Sequence, residues 1–189
     1  MAVIGLLLAA GAGRRFGGPK ALAQTNGEPW VVSSVRVLRE GGCDQVVVVV
    51  GAAAKAVIET LDPDVEVVIA ESWATGMGAS LRAGLEAAAR TDADATIVHL
   101  VDLPDVGSDV VARLVQTAGP DTLARADYGA EPGHPVLIGR AHWDGVRAAA
   151  VADRGARDYL ESHEVLLVDC SDLAAGRDVD RPRAGVSGA

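Results

Sequence analysis

Four stretches of the chain are almost wholly apolar: VIGLLLA at 3–9, QVVVVVG at 45–51, VEVVIAE at 65–71 and ATIVHLVD at 95–102. Short aliphatic, β-branched runs closed by turn residues are what strands buried on both faces look like. Between them the apolar positions recur at helical spacing. EPWVVSSVRVLRE at 28–40 carries Pro29 near its start and Gly41-Gly42 behind it, a short helix fits 53–61, a longer one runs from about Thr75 to about Arg90, and a fourth covers 107–118. Alternating strands and helices predict right-handed crossovers. The fold class is therefore α/β, a three-layer α/β/α arrangement with a mostly parallel sheet and with ligand sites at the carboxyl ends of the strands.

From Asp121 the rhythm loosens. TLARADY at 122–128 reads as a strand, AEPGHP as a loop, VLIG at 136–139 as a strand, and 140–161 as helical pieces broken near Asp153 to Gly155. EVLLVDC at 164–170 returns to the sheet. A length of 189 residues suits one domain spanning 1–189, with a substrate-specific insertion around 121–160 and a small-residue tail at 183–189 expected to fray.

Charge narrows the partners. A net charge of −9 argues against a nucleic-acid or anionic-membrane surface, since those partners require a cationic footprint. Local cations must then serve a small anion. Cys43 and Cys170 have neither a CxxC nor a Cys/His spacing and read as buried free thiols. No cationic leader precedes the first apolar run, and no stretch is apolar for long enough to span a bilayer, so the expectation is a soluble, cytoplasmic protein.

The first strand empties directly into glycines and cations, in VIGLLLAAGAGRRFGGPK at 3–20. Gly11 and Gly13 permit a tight turn that bares backbone N–H groups to an anion, and Arg14, Arg15 and Lys20 add charge. Two familiar phosphate fingerprints fail. In GxGxxG the third glycine falls on Phe16, and in a P-loop begun at Gly13 the lysine position holds Pro19, with no Ser or Thr after Lys20. What remains, AAGxGxRFGxxK, resembles the signature of nucleotidyltransferases with a glycosyltransferase-A-like nucleotide domain, and within them the molybdenum cofactor cytidylyltransferase branch. The plain alternative is a glycine-rich strand-to-helix turn with a solvated basic edge.

Four further motifs bear on this resemblance. Asp102 closes the strand and precedes Leu103-Pro104, where an acid at a strand's mouth suits either a magnesium ligand or a helix N-cap. In DVDRP, Asp178 and Asp180 are two apart and in an extended segment face one side, so both can address one cation, or they form a solvated tail. In ATGMGASLRAG at 74–84, Gly78 and Ser80 suit close approach by a nucleoside or simply ease packing at a helix start. His134, fixed between Gly133 and Pro135, suits a protonated ring meeting a phosphate or pterin, or a turn histidine without a duty. His99, His142 and His163 read as structural, and Trp30, Trp73 and Trp143 as packing or rim residues.

The resemblance spans residue 4 to about 182 and implies nucleotidyl transfer, in which an acceptor phosphate oxygen attacks the α-phosphorus of a nucleoside triphosphate and pyrophosphate leaves. It implies Mg2+ held by Asp102 and Asp180, with Asp178 as second choice. Arg15 and Lys20 would neutralise the triphosphate, and Ala9, Ala10, Gly11, Gly13, Gly78 and Ser80 would surround the nucleotide. Gly133 and His134 would meet the acceptor, a molybdopterin cofactor. VDLP stands where the family has a metal-binding GDMP-like motif, GHP matches the substrate-side tripeptide of the cytidylyl branch, and DVDRP has Arg181 where the family has threonine. Ala9-Ala10-Gly11 resembles the cytidylyl form, since guanylyl relatives carry a second glycine there, and so implies CTP. The rivals are guanylyl transfer, a sugar 1-phosphate acceptor, and a non-catalytic nucleotide-binding module. An NAD-dependent oxidoreductase is weaker, because Gly51-Ala52-Ala53-Ala54 offers no acid to a ribose.

Overall fold

Residues Val3–Ala9 form β1, buried along its whole length, and its pleat sends Val3, Leu7 and Ala9 into one apolar cluster and Ile4, Leu6 and Leu8 into another. This computed structural model describes residues 1–129, 131–181 and 186–187. After β1 come the short strands β2 (Gln24–Thr25) and β3 (Glu28–Pro29), then α1 (Trp30–Glu40), β4 (Gln45–Val50), α2 (Ala54–Ile58), β5 (Glu66–Ile69), α3 (Met77–Ala88), β6 (Ala95–Leu100) and α4 (Ser108–Val115). The second half adds β7 (Leu123–Asp127), β8 (Pro132–Gly139), α5 (Trp143–Ala149), α6 (Arg157–Glu161), β9 (Leu166–Asp169) and β10 (Val186–Ser187).

Seven strands pair in the order β5-β4-β1-β6-β8-β7-β9. Only β8 runs against its neighbours; the β1–β4, β1–β6, β4–β5 and β7–β9 pairs are parallel. On one face α1 lays down Trp30, Val31, Val35 and Leu38 beside Val110, Val111 and Leu114 of α4. On the other, Leu81 and Leu85 of α3 meet Trp143 and Val146 of α5 and Leu160 of α6. Each such aliphatic side chain removed from water contributes about 1.5–3 kcal/mol, so these two stripes hold the layers to the sheet.

The tail at 183–189, expected to fray, lies mainly outside the described residues; within it, Val186–Ser187 pair antiparallel with β2. GHP, expected in a loop, belongs to β8. Residues 132–135 pair on the β7 side alone, beside a bulge between Arg125 and Asp127, and a strand free on one edge tolerates the prolines that mimic a loop signal. The long helix starts at Met77, two residues later than its periodicity implies, because Gly76 sits at φ 119 after a 3-10 turn at Trp73–Thr75. Cys43 and Cys170 are free and buried. Among the described residues no helix is long and apolar enough to cross a membrane.

Candidate functional site

The strand order reverses at β1: the chain runs outward through β4 and β5 on one side, then returns to place β6 on the other. A crevice opens at the carboxyl ends of strands at such a switch point. The loop of residues 11–18 hangs over it. The N–H groups of Phe16, Gly17 and Gly18 all donate to the Gly13 carbonyl, at 2.9, 2.9 and 3.2 Å, which coils the loop on itself. Gly13 is at φ +57, and a Cβ there would run into the Gly18 carbonyl oxygen, so the turn requires glycine. The N–H groups of residues 11–15 make no backbone hydrogen bond among the described residues and form the part of the loop available to an anion. Phe16 is buried, its ring 5.5 Å from that of Trp30, and pins the loop to the core.

Lys20 opens the 3-10 turn Lys20–Leu22 and reaches back across the crevice. Its Nζ donates to Asp102 Oδ2 at 2.8 Å and to Asp180 Oδ1 at 2.9 Å. Asp102 stands in the turn beyond β6, and its carbonyl accepts the Val179 N–H at 3.0 Å, which stitches the segment carrying Asp180 to the mouth of the sheet. Burial opposes the charge on Lys20, yet the bonds to Asp102 and Asp180 outweigh it and hold the ammonium above its usual pKa. The same bond to Lys20 holds Asp180 below the ordinary carboxylate range. Arg15 lies 3.7 Å from Asp180 with 83% of its side chain exposed. A pair that open contributes at most about 1 kcal/mol, so Arg15 is free to turn to a phosphate.

Among the described residues no group of three or more His, Cys, Asp or Glu side chains gathers as a metal cage. Two carboxylates around one ammonium are a different donor set. Mg2+ is commonly held by one or two carboxylates with phosphate and water oxygens completing its shell, and Asp102 with Asp180 fit that pattern.

The crevice has a volume of about 470 Å3, within the range of small-molecule sites. Of the residues singled out from sequence, Ala10, Gly11, Gly13, Arg15, Lys20, Ser80, Asp102 and Asp180 line it. Ala9 is buried in the core, and Gly78 packs against the carbonyls of Ala150 and Ala152. Asp178 is exposed and outside the lining, and Pro182 lies outside the described residues. Met77, inside the ATGMGASLRAG motif but not singled out within it, also lines the crevice, as does Trp73 at its rim. Asp153 does too; its only sequence trace was the break in helical pattern near it.

A second cavity of about 100 Å3 adjoins the first, sharing Leu8, Met77 and Asp153 with it. Here lies His134, with Arg125 and Arg157. Antiparallel β8 brings its first residues to the same end of the sheet as the Gly loop, which explains how a strand start reaches the site. Gly133 packs beside the Tyr128 ring, and Tyr128 Oη donates to the His134 carbonyl at 2.7 Å. The protonated ring expected from sequence is not what this environment favours. Burial, then the charge of Arg125, hold the His134 pKa down to about 4, so the ring is neutral at pH 7. His99 is 1% exposed and lies in the core, where burial and then His134 lower its pKa to about 3.

Residues 5–166 match the model of the MobA-like NTP transferase domain. A Paenarthrobacter nicotinovorans protein named nicotine blue oxidoreductase is 39% identical over 190 residues, covering 94% of this chain and 92% of its own. A probable molybdenum cofactor guanylyltransferase of Opitutus terrae (strain DSM 11246 / JCM 15787 / PB90-1) is 37% identical over 105 residues, 56% of this chain and 50% of its own. The crystal structure of Rv0371c from Mycobacterium tuberculosis H37Rv superposes with a TM-score of 0.81 at 30% identity, covering 96% of this chain and 93% of that one. A complex of that protein with manganese superposes at 0.74 and 26% identity, over 89% of this chain and 88% of that one.

Proposed function

The chain belongs to the MobA-like NTP transferase domain family, and from that premise we propose a Mg2+-dependent cytidylyltransferase acting in the cytoplasm on a phosphorylated acceptor of the molybdopterin type. One observation carries the reading: Asp102 and Asp180, 78 positions apart in the chain, converge on Lys20 beneath the glycine loop. A module that merely binds nucleotide has no need of that pair. The Opitutus terrae relative, named a molybdenum cofactor guanylyltransferase, supports this kind of acceptor.

In this reading the acceptor's phosphate oxygen attacks the α-phosphorus and pyrophosphate departs. A phosphate monoester with a second pKa of about 6 is already a nucleophile at pH 7, so no general base is required. The chain's task is positioning and charge. The N–H groups of residues 11–15 and the side chains of Arg15 and Lys20 meet the triphosphate. Ala10 and Ser80 border the nucleoside, with Ala9 and Gly78 supporting the backbone around it, and Gly133 and His134 face the acceptor. Asp102 and Asp180 hold the Mg2+, which when bound supplies charge to the α-phosphate. Manganese in the Rv0371c complex supports a divalent ion in this fold.

One observation favours a second reading. The Paenarthrobacter nicotinovorans relative, alike over nearly the whole chain, is named an oxidoreductase. Both cysteines here are buried and free, so a reduction would draw electrons from a bound carrier, although the glycine loop departs from the dinucleotide fingerprint at Phe16. A two-armed assay separates the readings: pyrophosphate release across the four nucleoside triphosphates with molybdopterin cofactor, and oxidation of NADH or NADPH with a quinone-like dye. Pyrophosphate release with CTP and no nicotinamide oxidation is the expected result. The converse overturns the transferase reading.

A further inference from the structure

The smaller cavity holds more positive charge than its surroundings neutralise. Its floor is apolar, formed by Val98, Val136 and Ile138 among others, and four basic groups border it: Arg125, His134, Arg154 and Arg157. Arg154 is paired with Asp158. Arg125 and Arg157 have no carboxylate within 4.0 Å among the described residues. Arg125 Nη2 donates to the Pro132 carbonyl at 2.6 Å, while its Nε is buried and finds no partner among the described residues. Arg157 acts on Arg125 as a like charge, burial and then Arg157 lowering the Arg125 pKa, with Asp127 acting in the opposite sense. Among the described residues the carboxylate on the cavity's border is Asp153, whose Oδ1 is turned toward Gly76 on the side of the larger crevice.

Two guanidiniums facing one space over an apolar floor are unfavourable unless an anion enters between them, and a guanidinium fork is shaped to bind an oxyanion through two N–H donors. The volume of about 100 Å3 is less than a quarter of the crevice's 470 Å3. A space of that size suits a compact group such as a carboxylate or a phosphate. The cavity adjoins the nucleotide crevice, with Leu8, Met77 and Asp153 lining both.

We propose that this cavity is an oxyanion alcove in which Arg125 and Arg157 bind a second acidic group of the acceptor, remote from its reacting phosphate. This rests on reading the larger crevice as the nucleotide site. It assigns the acceptor class: a small molecule with two separated acidic groups, one seated in each space. His134, neutral at pH 7, completes the wall with a hydrogen-bonding group that adds no charge.

The test follows arginine Nε–Hε resonances of the 15N-labelled full chain during titration with inorganic phosphate and, separately, with acetate. Amides of Gly11 and Gly13 report the loop in the same spectra. Saturable shifts at Arg125 and Arg157 with one shared dissociation constant are expected, in phosphate alone for a phosphate-specific alcove or in both for a general oxyanion site. Arg157→Met should weaken the constant read at Arg125 at least tenfold and leave that of the loop unchanged, and Arg157→Lys should restore part of the affinity. Dispersed amide spectra of both variants establish that they fold. If Arg125 fails to saturate with either anion, or if Arg157→Met leaves its constant unaltered, the alcove is overturned. A separate titration with CTP reports on the crevice: loop amides that ignore CTP while Arg125 responds to phosphate would sink the nucleotide reading and leave the anion site standing.

Discussion

Lys20 Nζ lies 2.8 Å from the Asp102 carboxylate, with 14% and 20% of the two side chains exposed, and the ammonium stands where a cation shared with Asp180 would stand. In the proposed mechanism, lysine and metal compete for the same pair of acids. When a divalent ion binds both carboxylates, Lys20 must leave them, and the triphosphate is the anion within its reach. Lys20→Ala should tighten Mn2+ binding to the protein without nucleotide, as measured by electron paramagnetic resonance, while turnover falls by two orders of magnitude or more. Unchanged Mn2+ affinity would mean that the metal sits elsewhere.

Asp102→Asn and Asp180→Asn should act in the opposite direction on the metal. Each removes a charged oxygen, and losing a principal electrostatic stabiliser costs on the order of a hundredfold or more in rate. Asp178→Asn should be close to wild type, since Asp178 is exposed and outside the crevice. Equal losses at Asp178 and Asp180 would return DVDRP to a general acidic tail.

The layers of this fold were legible because β1, β4, β5 and β6 are apolar runs spaced by amphipathic helices, and runs of that kind depend on local sequence alone. The loop was legible for a related reason: Gly13 is needed by its own turn. The second cavity was not. Arg125, Arg157 and Asp153 come together only because α6 and the turn before it lie against the sheet that contains β7, and no spacing in the chain records that meeting. Gly133 and His134 misled in the other direction, since Gly and Pro signal a loop wherever the edge that excuses them cannot be seen.

The buried histidines set an acid limit. His99 titrates near 6.5 when unfolded but at about 3 when folded, and His134 at about 4. A depressed folded pKa means that stability is complete above 6.5 and is lost progressively as pH falls toward the folded values. At pH 5 the proton that the unfolded chain takes up at His99 costs the native state about 2 kcal/mol. Carboxylates such as Asp180 stay ionised over that interval and contribute little to the slope. Urea midpoints should therefore drop between pH 7 and pH 5, and His99→Leu should lessen the drop even if it lowers stability at pH 7. An identical pH dependence in that variant would remove His99 as its source.

In the proposed function the base preference turns on Ala10, which is 5% exposed, lines the crevice, and has its carbonyl fixed by the Ala52 N–H at 3.0 Å. Held at both the end of β1 and the end of β4, the residue cannot withdraw its methyl from an incoming base. A methyl at a rigid wall crowds a purine more than a pyrimidine, and the resemblance places a glycine at this position in guanylyl relatives. A single methyl is worth only about 1–3 kcal/mol of discrimination, so CTP should exceed GTP in kcat/KM by roughly tenfold to a few hundredfold. Ala10→Gly should narrow that ratio chiefly by raising the rate with GTP, and the comparison requires both triphosphates at equal Mg2+. A wild type that prefers GTP would place the chain with the guanylyltransferase named in Opitutus terrae and leave the transfer chemistry intact. A ratio that Ala10→Gly does not move would shift base selection from the wall at the end of β1 to the opposite rim, where Trp73 borders the same crevice.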